Sequence, residues 1–342
     1  MKIAILAPVW FPVPPTGYGG IEWVVWLLAE GLADAGHEVT LFAAGESQTK
    51  AKLEYVYPAA PSELIGTTEP DLRHALHCLS RQDEFDLVND HSGMVAASIS
   101  GGVRTPVAHT VHGPMDGKAG VMYDQISRVA PTVGLISISM NQRRPRPNLN
   151  WVGNCPNALE FDLYPFAPLR GDYLLFLGRM SHDKGAHRAV RTAMETGLPL
   201  KIAGKMREPL EKQYFDEYVR PHLSSRIEYV GEVSHGEKVE LLQHARATLF
   251  PIKWEEPFGL VMIESMACGT PVIATRRGAV EEVIGTGGGG VIVDDWRAAA
   301  AAIEDADAIA PETCRAYVEQ YFAPERMVRD YIAAYESMLG PR

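Results

Sequence analysis

The sequence predicts an α/β protein made of two doubly wound, Rossmann-like domains facing across a cleft. Three observations carry this. Short β-branched runs alternate with helical stretches over almost the whole chain, the pattern of parallel sheets joined by helical crossovers. The alternation runs through two cycles, separated by the Pro-rich stretch LYPFAPLRGD at 163–172, which reads as a hinge. A chain of 342 residues also exceeds one core of ordinary size.

The first cycle has strands at KIAILA (2–7), EVTLFA (38–43), FDLVN (85–89), PVAHTV (106–111) and VGLISIS (133–139). Between the first two, GGIEWVVWLLAEGLADAG is amphipathic and Gly36 supplies a C-terminal stop. The second cycle has strands at YLLFLG (173–178), LKIAG (200–204), IEYVG (227–231), ATLFP (247–251), PVIAT (271–275) and GVIV (290–293). The last helix, PERMVRDYIAAYESML, carries an apolar stripe at Met327, Tyr331, Ala334, Tyr335 and Met338 that suits packing on either domain.

Composition narrows the function classes. With 46% hydrophobic and 22% charged residues the chain reads as a soluble globular protein. A net charge of -11 argues against a nucleic-acid backbone or an anionic membrane as main partner. No apolar run reaches the length of a transmembrane segment, and MKIAILAPVWFP, broken by Pro8 and Pro12, reads as a strand rather than a signal peptide. Cys78, Cys155, Cys268 and Cys314 are widely spaced and form no C-x-x-C pair. Neither a disulfide framework nor a zinc site is expected, and a cytoplasmic location fits.

The run KWEEPFGLVMIESMACGTPVIA (253–274) carries the most chemistry. From Phe258 to Cys268 it reads as a helix apolar nearly all round, yet Glu264 sits inside it. A carboxylate there needs compensation. In an open α/β sheet, ligands bind beyond the carboxyl ends of strands, where the amides of Phe258, Gly259 and Leu260 would be presented. The vicinal diol of a bound ribose would satisfy Glu264, and Glu256 would address another part of the same ligand. The bland alternative is that Glu264 pairs with a buried Arg or Lys and Glu256 is a solvated loop charge.

Three further clusters sit at predicted strand ends. FLGRMSHDKG (176–185) offers Arg179 and Lys184, suited to a diphosphate or else ordinary surface cations. WFPVPPTGYGGIEW (10–23) places Gly17, Gly19 and Gly20 before a helix, either an anion-binding loop or only a turn. It misses the dinucleotide fingerprint because Glu22 takes the last glycine's place, although Glu46 mimics that fingerprint's ribose acid. His91, His109 and His112 end strands, where a histidine either meets a substrate hydroxyl or is satisfied by packing. Asp305 and Asp307 match D-x-D but lie at the end of an Ala-rich helix and read as a solvated face; QRRPRPN (142–148) reads as an exposed loop.

Taken together, EPFGLVMIESMACGTPVIA, GRMSHDKG, TVHG, GYGGIE and CPNALEFDLYPF resemble, in order and placement, the motifs of retaining glycosyltransferases of family 4, whose fold is called GT-B. The resemblance covers essentially the whole chain, and the E-x7-E run carries most weight. It implies that Glu264 holds a nucleotide ribose, that Glu256 binds donor-sugar hydroxyls, and that the amides of Phe258, Gly259 and Leu260 touch sugar or diphosphate. Arg179 and Lys184 would bind the diphosphate, Gly19 and Gly20 would close over the phosphates, His112 would lie beside the donor sugar near the reacting centre, and His91 would begin the acceptor side. On these implications His112, Arg179, Lys184 and Glu256 form the catalytic set. It also implies that residues 1–168 with 324–342 form an acceptor-side domain with a returning C-terminal helix, and 169–323 the donor-binding domain. The chain departs from the family at His182 and Asp183, where Pro-Glu is usual, at Ala158, where Gly is common, and at Asn89, where His is frequent. The chain is compact for the family, and its overall character is similar to antibiotic-pathway members of the avilamycin (orthosomycin) type.

The implied activity is a hexosyl- or pentosyltransferase, without cofactor or metal, that uses a nucleoside-diphosphate sugar and a small-molecule or oligosaccharide acceptor. Competing readings are a nucleotide-sugar epimerase of the same fold, which turns over without acceptor, a nicotinamide-dependent oxidoreductase, and a sensor that binds donor and releases nothing.

Overall fold

The structure is a computed structural model and describes residues 1–17, 19–285 and 287–340. Tyr18 of GYGGIE, Thr286 of GTGGGGV, and Pro341 and Arg342 lie outside the described residues. The chain divides into two compact units, Met1–Leu159 with Pro324–Arg342, and Glu160–Ala323.

The first unit holds a seven-stranded parallel sheet of β1 (Lys2–Leu6), β2 (Glu38–Phe42), β3 (Lys52–Glu54), β4 (Leu87–Asp90), β5 (Val107–Thr110), β6 (Gly134–Ser137) and β7 (Trp151–Asn154), in the order β3-β2-β1-β4-β5-β6-β7. Its register sets Ile3 beside Val39 on one side and Leu87 on the other. The central strands read as apolar runs because helices cover both faces of a parallel sheet, and the core gathers Leu6, Phe42, Val88, Val107, Tyr123 and Leu135. The order turns at β1, whose neighbours are β2 and β4.

The second unit repeats the plan with β8 (Tyr173–Leu177), β9 (Leu200–Ala203), β10 (Ile227–Gly231), β11 (Ala245–Phe250), β12 (Val272–Thr275) and β13 (Gly290–Val293), in the order β10-β9-β8-β11-β12-β13. Its switch point is at β8, between β9 and β11, so the loops after β8 and β11 share one end of the sheet. Leu174, Phe176, Ile202, Phe215, Leu249 and Ile273 lie in its core.

The two units are the α/β architecture expected from the alternation. The first boundary falls at 159/160 rather than 168/169. Residues 163–167 are tied into the second unit: the carbonyl of Leu163 is 3.0 Å from His235 Nε2, that of Pro165 accepts from Gln243 Nε2 at 2.6 Å, and Ala167 N donates to the carbonyl of Cys268 at 3.1 Å. The Pro-rich stretch is thus largely a packed segment of that unit rather than a bare hinge. The last helix, Pro324–Leu339, belongs to the first unit, where Met327, Tyr331, Ala334 and Tyr335 are buried.

Two short edge strands, β3 and β7, were not expected from the sequence. The segment read as an exposed loop at 142–148 instead begins in a short helix, Met140–Arg143, capped by Ser139. Gln142 there is buried, its side chain spanning to the backbone after β5. The four cysteines are free and buried.

Candidate functional site

In the second unit the functional residues cluster at the carboxyl ends of β8 and β11. The loop after β8 carries Arg179 and Lys184; the loop after β11 carries Trp254, Glu256 and the entry to the Leu260–Ala267 helix. Lys184 Nζ lies 2.6 Å from Glu256 Oε2 and 4.5 Å from the centroid of the Trp254 ring. Trp254 Nε1 donates to the same carboxylate oxygen at 3.1 Å. Glu256 is therefore a buried carboxylate compensated by an ammonium and an indole N–H, not a solvated loop charge. Arg179 is more loosely held: its Nη2 lies 3.8 Å from Asp183 Oδ2, and its side chain is 37% exposed. Its guanidinium is the more available cation of the pair.

The helix start is shaped by Gly259, the cap residue at φ 87°, where a side chain would be strained and its Cβ would come within 2.7 Å of Met262 Cε. Glu256 also needs Gly278 beside it, because a Cβ there would come within 2.3 Å of the Glu256 backbone.

Glu264 is 6% exposed and is not waiting for a partner. Its Oε1 accepts from Lys238 Nζ at 2.7 Å and from Tyr164 Oη at 2.7 Å. The lysine alternative is the arrangement present, which corrects the expectation that a ligand diol is what keeps this acid charged. Both bonds land on one oxygen, and among the described residues none donates to Oε2. Burial and the neighbouring Glu264 charge hold the Tyr164 hydroxyl well above its usual range, so it remains a donor. Arg315 fixes this corner by donating to the carbonyls of Tyr164 and Ala267, at 2.7 and 3.0 Å.

Sequence reasoning missed Lys238, Tyr164, Trp254 and Arg315. Two carried a signal: Lys238 is the only Lys or Arg on its helix, His235–Gln243, just after the capping box of Ser234 and Glu237, and Tyr164 lies in the CPNALEFDLYPF motif.

In the first unit the glycine loop follows β1. Gly19 caps the Gly20–Asp34 helix, and a Cβ on it would come within 2.7 Å of Pro15 and 2.9 Å of Glu22 Oε2. Glu22, three residues on, is buried in the first turn, and burial pushes its carboxyl up to about 7. Glu46 is exposed and, among the described residues, accepts a single 3.5 Å bond, from Ala60 N.

The three strand-end histidines separate into two networks. His109 is a packing residue: Nδ1 is 2.6 Å from Asp90 Oδ2 and Nε2 is 2.9 Å from Tyr123 Oη, all buried. His91 and His112 form the second, with His91 Nδ1 2.9 Å from His112 Nε2. His91 is 2% exposed, and its other nitrogen is 2.7 Å from Asn89 Oδ1, so neither ring nitrogen is available to an acceptor directly. His112 is half-buried, and among the described residues none bonds its Nδ1. Gln142 braces it by donating to the carbonyls on either side, Val111 and Gly113, both at 2.7 Å.

The family model Glycosyl transferases group 1 matches residues 166–320, and Glycosyltransferase Family 4 matches residues 18–152. A glycogen synthase of Mycobacterium tuberculosis is 28% identical over 234 residues, 60% of this chain; the chain spans just over half, 56%, of that relative's length. The crystal structure of AviGT4, a glycosyltransferase involved in avilamycin A biosynthesis, superposes with a TM-score of 0.74 at 28% identity, covering 99% of this chain and 98% of its own. Anabaena HepE in complex with UDP and glucose has a TM-score of 0.76 at 18% identity over 97% of this chain and 98% of its own, a likeness of fold.

Proposed function

The chain belongs to the GT-B glycosyltransferases of group 1, the family 4-like class, and from that premise we propose that it moves a hexosyl or pentosyl group from a nucleoside diphosphate to an acceptor hydroxyl with retention at the anomeric carbon. The observation that carries this is the pair Glu256 and Glu264, eight residues apart, each buried and each held by a lysine from another element at one end of the second sheet. Such a site presents two oriented carboxylates for hydroxyls beside cations for phosphates.

In this reading Glu264 takes a ribose hydroxyl on Oε2, and Glu256 takes donor-sugar hydroxyls. Arg179 and Lys184 meet the diphosphate together with the amides of Phe258, Gly259 and Leu260. Gly19 and Gly20 keep the family's role of phosphate contact. HepE's complex with UDP and glucose supports a nucleoside-diphosphate sugar as donor, and the likeness to AviGT4, which is involved in avilamycin A biosynthesis, supports an antibiotic intermediate as acceptor.

Glu256 is engaged by Lys184 and Trp254, an arrangement for binding rather than for nucleophilic attack. Same-face substitution follows: the acceptor oxygen bonds to the anomeric carbon as the bond to phosphate breaks, and the departing phosphate takes the acceptor's proton. The cations and helix-start amides stabilise the charge growing on that phosphate.

The test is incubation of the purified chain with a panel of nucleoside-diphosphate sugars and oligosaccharide acceptors, with product mass and anomeric configuration read afterwards. A retained product formed at undiminished rate in EDTA is expected. An inverted anomer, interconversion of nucleotide sugars without acceptor, or activity abolished by EDTA and restored by magnesium or manganese would overturn the reading.

A further inference from the structure

We propose that Tyr335, Asn89 and His91 form a relay that fixes His112 as the imidazole protonated on Nε2, so that its Nδ1 accepts a hydrogen bond from a substrate hydroxyl and does not donate one to a phosphate. The contact with substrate rests on the transferase reading above; the relay itself does not.

The deduction starts from an atom whose role is unambiguous. A backbone carbonyl only accepts, and the carbonyl of Ala108 lies 2.9 Å from the Asn89 side-chain nitrogen, which therefore is the amide NH2. A second bond from that nitrogen, to Thr110 Oγ1 at 3.2 Å, agrees. Asn89 Oδ1 is then the oxygen, and it too only accepts. Tyr335 Oη donates to it at 2.7 Å, and His91 Nε2, also at 2.7 Å, must carry a hydrogen. Burial disfavours a charged His91, so its Nδ1 holds the lone pair. The nitrogen 2.9 Å away, His112 Nε2, is consequently the donor. In neutral His112 the remaining nitrogen, Nδ1, has the lone pair, and among the described residues it has no donor.

Position is fixed along with the tautomer. Gln142 clamps the backbone on both sides of His112, and its own Oε1 accepts from Ile138 N at 2.9 Å. Tyr335 is fully buried on the Pro324–Leu339 helix, so this helix reaches the far end of the relay. Asn89, Tyr335 and Gln142 are accordingly positioning residues, acting through His112. His91, expected from the sequence to begin the acceptor side, also acts through His112.

Long-range proton–nitrogen correlation spectra of the 15N-labelled full chain read the tautomer without substrate. Both His91 and His112 are expected to be neutral and protonated on Nε2. In Asn89→Asp the new carboxylate holds His91 as imidazolium, whose Nδ1–H now donates, so His112 switches to the Nδ1–H form. That variant should lose at least about tenfold in sugar transfer while binding the nucleoside diphosphate within about twofold of the parent. A wild-type His112 already protonated on Nδ1 overturns the proposal, and so does an unchanged His112 in a folded Asn89→Asp protein whose new carboxyl is ionised by its 13C shift; where that carboxyl is protonated towards the Ala108 carbonyl, or the variant does not fold, the wild-type spectrum decides. A switched tautomer with full turnover overturns the hydroxyl contact. Failure of the wild type to use any nucleotide sugar falls on the transferase reading and leaves the relay as the spectrum finds it.

Discussion

Glu264 illustrates how one charge organises its surroundings. Its side chain is 8% exposed against 21% for Lys238, so removing the lysine strands a carboxylate with only the Tyr164 hydroxyl. Breaking a buried pair from one side costs about 3–5 kcal/mol, and the partial exposure of Lys238 places this case at the low end, about 3 kcal/mol. Lys238→Met should lower the urea midpoint accordingly, whereas Lys238→Met with Glu264→Gln should recover most of the loss, because no charge is then left unpaired. Wild-type stability in the single variant would show that the pair contributes nothing. The sequence made Glu264 conspicuous, since an acid within an apolar helix is anomalous under any fold. It concealed the partner, because Lys238 and Tyr164 lie 26 and 100 positions away and no local period links them. Likewise the strand-end histidines stood out, but which of them packs and which faces outward depends on Asp90, Tyr123 and Tyr335, set by sheet order rather than spacing.

At the scale of elements, the returning helix is seated by glycines. An added Cβ would come within 2.4 Å of Val328 at Gly31, 2.6 Å of Ala334 at Gly153 and 2.8 Å of Met338 at Gly134. These residues let the backbones of the Gly20–Asp34 helix, β7 and β6 approach the Pro324–Leu339 helix closely. Gly153→Ala is the informative change. Replacing a strand glycine by alanine gains up to about 1 kcal/mol in backbone entropy, but overpacking against a Cβ anchored to another backbone costs about 1–3 kcal/mol. The clash should win, lowering the unfolding free energy by about 1–2 kcal/mol, read as a lower urea midpoint at unchanged slope, with partial recovery in Gly153→Ala with Ala334→Gly. A stabilised Gly153→Ala would refute the seating argument. β7 escaped the sequence reading for the same reason: WVGN is four residues, half-buried throughout and broken by the glycine, so it has neither the continuous apolar run of a central strand nor clean alternation. β3, three residues at the opposite edge, is shorter still. The central strands β1, β8 and β11 were legible because burial on both faces writes itself into composition as an apolar run.

Over the whole molecule the buried titratable groups pull stability in opposite directions with pH. His74 and His187 are pushed down to about 4 and His112 to about 3, chiefly by burial, and His91 lies well below its usual range. Each remains neutral in the folded chain while its unfolded counterpart takes up a proton below about pH 6.5, so each costs stability as pH falls from about 6.5 toward its folded value. Glu22 and Asp71 are pushed up by burial to about 7 and about 6. They keep a proton that the unfolded chain has released above about pH 4.5, so they cost stability as pH rises from there to their folded values. A fully differential proton is worth about 1.4 kcal/mol per pH unit, and between about pH 4.5 and 6.5 these four histidines, joined by His235, which burial also pushes down, oppose the two carboxyls, so the histidines decide the sign. Above about 6.5 the unfolded imidazoles are still losing protons, about one between them at pH 7, and Glu22, about half ionised there, offsets roughly half of that. The urea midpoint should therefore climb from pH 4.5 through 6.5 and level off towards pH 7.5, and Glu22→Gln should make the climb above about pH 5.5 steeper, because the opposing carboxyl is gone. A midpoint that falls steadily from pH 4.5 to 6.5 would mean that the histidines are charged in the folded chain, which would also undo the neutral relay through His91.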